Sequence, residues 1–276
     1  MPLYARPTVL DEALQVLARG ATVLAGGTDH YAARVGKPLG EPILDITAIR
    51  GLRRIEESRE HWRIGAATTW TDVLEAKLPA VFDGLKLAAR EIGGIQIQNS
   101  GTLAGNLCNA SPAADGVPAL LAMDASVELA SAKGLRVLPL AEFITGPRKT
   151  GRRSDELLTA ILVPKPEHQA RSHFLKLGAR KYLVISIAMA SVVVEHAAGV
   201  VRRARVAVGS CSPVALRLHA LEDALRGQPL DQGLADIPTA DHLAPLMPID
   251  DVRASGAYRR DAALTVVRRT LAGVCE

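Results

Sequence analysis

Apolar positions recur at three- and four-residue intervals from Val9 to Arg19 (Leu10, Ala13, Leu14, Leu17) and stop at Gly20, which predicts a helix closed by a glycine. The short runs Ala21–Ala25 and Pro42–Ile46 read as buried strands. Thr28 or Asp29 is placed to cap a helix through about Val35, and Ala48–Leu52 reads as a helical turn. Residues 53–60 are a charged run with few apolar anchors, which marks a subdomain boundary. His61–Ala67 then predicts a strand, Thr69-Trp-Thr-Asp72 a capped entry to a helix through Ala76, and Leu85–Ile92 a helix running into Gly93-Gly94. Val117–Met123 is helical. Ala125–Ala130 and Leu135–Leu138 form a hairpin about Lys133-Gly134, and Leu157–Val163 is a strand ended by Pro164-Lys-Pro166. Three strands follow at 173–177, 185–195 and 200–209, then helices at 216–225 and 250–271. The pattern is α+β: an N-terminal domain over residues 1–168, with subdomains about 1–55 and 56–168, and a small C-terminal domain over 169–276 with a three-stranded antiparallel sheet plus helices.

Two glycine-rich turns interrupt this pattern. Residues 95–115 read as a loop in which Gly101 and Gly105 free the backbone while Ser100, Thr102, Asn106 and Ser111 add hydroxyls and amides. Amides exposed in successive tight turns form an anion site, and Asp115 can accept a hydrogen bond from a sugar hydroxyl. The earlier turn, Val23-Leu-Ala-Gly-Gly-Thr-Asp-His30, follows a strand and enters a helix, a phosphate geometry. Either turn alone is as readily a tight connection without a ligand; the two together shift the balance towards a phosphate-bearing ligand. Neither a GxGxxG nor a Walker A pattern is present.

Composition narrows the classes further. A chain of 276 residues with 48% apolar but only 3% aromatic residues builds its core from aliphatic side chains. The net charge of +4 is scattered without aromatic interleaving, which argues against a nucleic-acid partner. Cys108, Cys211 and Cys275 are too few and too dispersed for a disulfide framework or a four-thiolate cluster, and the seven histidines show no metal-ligand spacing. No apolar run reaches membrane-spanning length and no leader pattern opens the chain, so a soluble, cytoplasmic protein is expected. No Ser-His-Asp, Cys-His or paired-carboxylate set stands out, which turns attention to a cofactor that carries the chemistry. The basic stretch Gly146–Arg153 reads equally as a solvated turn.

Several separated motifs carry a resemblance over nearly the whole chain. Ala25-Gly-Gly-Thr-Asp29, Gly101-Thr-Leu-Ala-Gly-Asn106 with Ser111-Pro112 and Asp115, Phe143-Ile-Thr-Gly-Pro-Arg-Lys-Thr150, Asp155-Glu-Leu-Leu158, Lys176-Leu-Gly-Ala-Arg180 and Asp250–Arg259 occur in order. Together they resemble the FAD-binding medium subunit of molybdenum hydroxylases, the xanthine dehydrogenase and carbon monoxide dehydrogenase family. The resemblance implies a two-subdomain FAD-binding domain of the PCMH type followed by a CO dehydrogenase flavoprotein-like C-terminal domain. It implies noncovalent FAD contacted by Val23, Leu24, Ala25, Gly26, Gly27, Thr28, Asp29 and His30 and by Gly101, Thr102, Ala104, Gly105 and Asn106. Asp115 would take a dinucleotide hydroxyl, Ile92 and Leu158 would be apolar contacts, and Lys176 a cation beside the flavin. Tyr182 is a candidate cover for the ring.

The implied partners are a molybdenum-cofactor large subunit and a 2Fe-2S small subunit, as a heterotrimer or its dimer. Electrons would leave through FAD to NAD or another acceptor. Basic residues Arg202, Arg203, Arg205, Arg259 and Arg260 are candidates for a docking surface, or for a solvated face. A self-contained flavin oxidase of the vanillyl-alcohol oxidase type and a flavin-free scaffold subunit remain the alternatives. Two departures stand out: Ala104 takes the place of the first glycine of the family's second loop, where a left-handed backbone would be strained by about 1 kcal/mol. His30-Tyr31 replaces a more common aliphatic pair.

Overall fold

The computed structural model of the chain describes residues 4–36 and 40–276. Met1, Pro2 and Leu3, part of the segment in which no leader is expected, lie outside the described residues. The first subdomain contains β1 (Tyr4–Ala5), α1 (Leu10–Leu17), β2 (Thr22–Leu24) and β3 (Ile43–Asp45), with the strands in a parallel sheet of order β1-β3-β2. The apolar face of α1 (Ala13, Leu14, Leu17) covers Leu44 and Ile46, and the same cluster takes in Ala67, Ala130 and Leu157 from the next subdomain. A shared apolar core therefore locks the two subdomains together.

The second subdomain runs through β4 (Ile55–Glu57), β5 (His61–Gly65), α2 (Trp70–Glu75), α3 (Asp83–Glu91), α4 (Ile95–Ser100), α5 (Leu103–Asn109) and α6 (Gly116–Ala122). It continues with β6 (Ser126–Ser131), β7 (Gly134–Pro139), α7 (Leu140–Phe143), β8 (Ile144–Gly146), β9 (Lys149–Thr150) and β10 (Leu157–Pro164). Its antiparallel sheet has the order β4-β5-β10-β6-β7, and Ile64, Val127, Leu129 and Ile161 meet Trp70, Phe82, Leu85, Leu103 and Leu107 from the helices. The start of α2 is a reciprocal capping box, with Asp72 N donating to Thr69 Oγ1 at 3.2 Å and Thr69 N to Asp72 Oδ2 at 2.9 Å.

The C-terminal domain comprises β11 (Gln169–Leu177), β12 (Ala188–Ala197), β13 (Val200–Gly209), β14 (Leu216–Arg217), α8 (His219–Leu225) and α9 (Gly256–Val274). Ala198 and Gly199, both with positive φ, make the tight turn between β12 and β13. Residues Ala188 to Glu195 of β12 are buried without a break, because both faces of the sheet are covered. Val192, Val194, Val206 and Val208 face α8 and α9, whereas Phe174, Met189, Val193 and Ala207 join the core of the second subdomain. Asp124, at the end of α6, accepts from Arg203 at 2.8 Å and Arg217 at 2.6 Å, and Arg205 donates to Ala122 O at 2.7 Å and Glu195 Oε1 at 2.6 Å.

The structure corrects several expectations. The C-terminal sheet has four strands, not three: Leu216-Arg217 extends along β13, where its backbone is paired and Arg217 is held by Asp124 and Glu222, so α8 begins only at His219. The helix expected from Thr28 or Asp29 through Val35 is reduced to one 3₁₀ turn over Ala32–Arg34 without a side-chain cap, since most of its side chains are exposed and Gly36 turns at φ +77°. The loop over 95–115 contains α4 and α5, and the charged run over 53–60 contains β4. Helix α9 starts at Gly256, capped by Ser255, after a turn over Asp250–Ala254. Arg205 and Arg259, candidates for a docking surface or a solvated face, are instead internal at 4% and 1% exposure because their guanidinium groups satisfy buried carbonyls and carboxylates.

Arg259 donates to Ile187 O at 2.6 Å, Ser210 O at 3.1 Å and Asp251 Oδ1 at 2.7 Å. Replacing it by Met takes the guanidinium donor from the two buried carbonyls and its charge from Asp251, which keeps only its bonds from Arg253, and a loss of about 3 kcal/mol is expected in denaturant unfolding. Hydrogen bonds from Arg253, and then Arg259, hold the Asp251 carboxyl well below the usual carboxylate range. A depressed folded pKa contributes stability that is present above the unfolded value and lost as the pH falls through the folded one. Asp251→Asn should therefore lower the melting temperature at neutral pH and flatten its decline in acid, as read from thermal melts across pH.

Candidate functional site

The two glycine turns meet at the seam between the N-terminal subdomains. Gly26 lies so close to the end of α4 that a Cβ on it would sit 1.9 Å from Ser100 O and 2.9 Å from Gly101 Cα. Gly27 turns the chain at φ +71°, against the ring of Tyr31. The backbone N–H groups of residues 25–30 donate to no acceptor among the described residues. A run of free amides beyond a strand end suits anionic oxygens, and it survives without the helix dipole expected there. A cleft of about 250 Å³ opens at this seam, lined by Ala25, Gly26 and Thr47 on one side and by Thr69, Asn99 and Ser100 on the other.

Arg53 also lines the cleft, its guanidinium forked onto Asp72 at 2.9 and 3.0 Å. Sequence reasoning missed it, because it sits in a charged run with no local signal; only the Thr69/Asp72 capping box, which places Asp72, points towards it. Opposite, Thr102 Oγ1 caps α5 by accepting from Gly105 N at 3.0 Å, and a Cβ on Gly105 would crowd that oxygen at 2.9 Å. Ala104 lies inside α5, buried among apolar neighbours and outside the positive-φ residues, so its methyl carries no left-handed strain. Asn106 Oδ1 is buried with no partner among the described residues, an acceptor left over for a ligand or water. Val23 and Leu24 belong to β2, while Thr28, Asp29 and His30 form the turn after Gly27. The Arg34 guanidinium donates to His30 Nδ1 at 3.0 Å; burial, then the charge of Arg34, lowers the histidine pKa, and its Nε2 is buried without a partner among the described residues.

Asp115 and Lys176 come together at a second place, the boundary with the C-terminal domain. Lys176 Nζ donates to Asp115 Oδ2 at 2.7 Å, Glu91 O at 3.0 Å and Val184 O at 3.3 Å, and Ser186 Oγ donates to Asp115 Oδ1 at 2.5 Å. Burial pushes the Asp115 carboxyl up, opposed by the Lys176 charge and by the hydrogen bonds from Lys176 and Ser186. Lys176, with Glu91, Leu177, Gly178, Arg180 and Lys181, lines a recess of about 280 Å³. Ile92 is partly buried just beyond Glu91, whereas Leu158 lies within the sheet core and lines neither recess. Tyr182 is exposed on the adjoining loop, with the Lys181 ammonium 5.2 Å from its ring centre. No cluster of three or more His, Cys, Asp or Glu among the described residues is placed to hold a metal ion.

Two family descriptions match the chain in order: "FAD binding domain in molybdopterin dehydrogenase" over residues 2–166 and "CO dehydrogenase flavoprotein C-terminal domain" over residues 173–274. The chain belongs to the FAD-binding medium subunits of the xanthine and carbon monoxide dehydrogenase family. It binds FAD and is a subunit of an oxidoreductase. The medium subunit is 32% identical to the xanthine dehydrogenase FAD-binding subunit of Escherichia coli O157:H7, covering 97% of this chain and 94% of that one. It is 33% identical to the nicotinate dehydrogenase FAD-subunit of Eubacterium barkeri, over 81% of this chain and 79% of the relative. Carbon monoxide dehydrogenase from Hydrogenophaga pseudoflava superposes with a TM-score of 0.86 at 29% identity, covering 98% of this chain and 96% of that one. No helix of the medium subunit, among the described residues, is long and apolar enough to cross a membrane.

The steric tests at the seam predict what bulk would do. Gly26→Val forces its side chain into Ser100 O and so parts the two turns, and Gly105→Val displaces the Thr102 cap. Both variants should purify without bound flavin, seen as loss of visible flavin absorbance, while circular dichroism retains the β signal of the C-terminal sheet.

Proposed function

We propose that this medium subunit is the electron exit of a molybdenum hydroxylase: it takes electrons from iron–sulfur clusters of a 2Fe-2S small subunit and passes them to NAD or another acceptor. A molybdenum-cofactor large subunit would carry the substrate chemistry, in a heterotrimer or its dimer. The observation that carries this reading is the pairing of a free-amide turn at one recess with a buried, fixed cation, Lys176, at the other. The relatives support it by name, as FAD subunits and medium chains of dehydrogenases matched along most of their length.

In this reading residues 1–168 hold the cofactor noncovalently across the subdomain seam and residues 169–276 complete the site from the other side. The amides of residues 25–30 bind the diphosphate, which their unpaired state leaves them free to do. Thr102 keeps the first turn of α5 in place, Asn106 offers its unpartnered amide oxygen, and Asp115 accepts from a hydroxyl of the dinucleotide. FAD, when bound, supplies the redox chemistry, exchanging electrons with both one- and two-electron partners. Lys176 sets a positive charge at the second recess, which favours the reduced, anionic form of a ring placed against it and so raises its potential. Tyr182 stands ready to cover that ring. Arg202 and Arg260 remain exposed and available to a partner, as Arg205 and Arg259 are not.

A direct test uses the purified chain and the complex isolated from its native source. The lone chain should retain FAD yet show no flavin bleaching with the organic substrate of the complex, whereas the complex should bleach on the same addition. Substrate-driven bleaching of the lone chain would return the self-contained oxidase.

A further inference from the structure

The segment joining β11 to β12, residues 178–187, turns back onto the cofactor domain. Gly178 permits the return, since a Cβ there would lie 2.3 Å from the Val184 side chain. Leu183 turns at φ +52°, and its carbonyl accepts from the Arg180 guanidinium. The returning segment then presents two groups to the buried pair: Ser186 Oγ to Asp115 Oδ1 at 2.5 Å and Val184 O to Lys176 Nζ at 3.3 Å. Ser186 is 1% exposed, and the side chains of Lys176 and Asp115 are 5% and 9% exposed.

The chemistry of this arrangement is specific. A carboxylate held at one oxygen can swing about its terminal torsion, which is broad. With Ser186 on Oδ1 and Lys176 on Oδ2, both oxygens of Asp115 are fixed. The ammonium has three donors, and all three are engaged, by Asp115, Glu91 O and Val184 O. To reach any further acceptor, it must release one of them, and Val184 O is the longest contact.

On the reading above, in which Asp115 and Lys176 face the bound cofactor, we propose that Ser186 is a positioning residue for FAD. Its hydroxyl orients the Asp115 carboxylate and, through it, the Lys176 ammonium, while Val184 O is the contact that Lys176 exchanges for the ring. Neither Ser186 nor Val184 belongs to the glycine turns, and no local pattern in the sequence singles them out.

The test uses the full chain with Ser186→Ala, Ser186→Thr and Lys176→Met. FAD is titrated into the deflavinated proteins by fluorescence, and the flavin midpoint potential is measured in the reloaded ones. Ser186→Ala should weaken FAD binding about tenfold, the loss of one hydrogen bond to a charged group, and lower the potential. Ser186→Thr, which keeps the hydroxyl, should restore both. Ser186→Cys, of similar volume but a weak donor, gives the same reading should the alanine variant fail to fold. Wild-type affinity and potential in Ser186→Ala, or equal losses in the alanine and threonine variants, would overturn the inference. Lys176→Met separates the two levels. If it lowers the potential while Ser186→Ala does not, only the positioning role falls; if it leaves the potential unchanged, the assignment of Lys176 to the ring falls and the inference with it.

Discussion

Everything at the subdomain seam depends on one backbone contact, the approach of Gly26 to the carbonyl of Ser100. No residue with a side chain fits between them, so the turn after β2 and the end of α4 are pressed together as bare main chain. Beside that contact the amides of residues 25–30 have no protein acceptor among the described residues, and an unpaired main-chain donor is costly unless water or a ligand meets it. The apolar cluster shared by α1, β3, β6 and β10 supplies the attraction that holds the seam shut.

The C-terminal domain solves a different problem, that of holding a lysine. Its central strand β12 is buried on both faces, between helices of the cofactor domain and its own α8 and α9. Asp124 gathers Arg203 and Arg217 at the same boundary, and Arg205 reaches across it to Ala122 O. A charge taken out of water is expensive unless it is paired, and the buried Arg205 is paired with Glu195. The geometry of these boundary contacts restricts how the two domains meet, and Lys176, at the end of β11, inherits that precision.

The two recesses differ in what they offer. The first is main chain and hydroxyls, with Arg53 tied to Asp72; the second is lined by Lys176, which the buried Asp115 holds, together with Arg180 and Lys181. A long ligand with an anionic middle and a redox-active end would use both, and a short one would need only the first.

Much of this was legible in the chain. The amphipathic spacing of Leu10 to Leu17, the capping box at Thr69 and Asp72, the hairpin about Lys133-Gly134 and the two glycine turns are local patterns, decided by nearby residues. The order of the family's motifs, a property of sequence alone, identified the cofactor. Other features needed the folded chain. Residues 28–35 carry helix-compatible side chains but no face to bury, so only a 3₁₀ turn forms, and Leu216-Arg217 becomes a strand because β13 has an edge to fill. Arg205 and Arg259 look like surface charges in sequence; burial against carbonyls and carboxylates makes them internal. Arg53 at the cleft and Ser186 on Asp115 arise from segments distant in sequence, and no periodicity or spacing records a contact across 71 residues. Local interactions set the elements, and long-range packing decided which polar atoms they leave free.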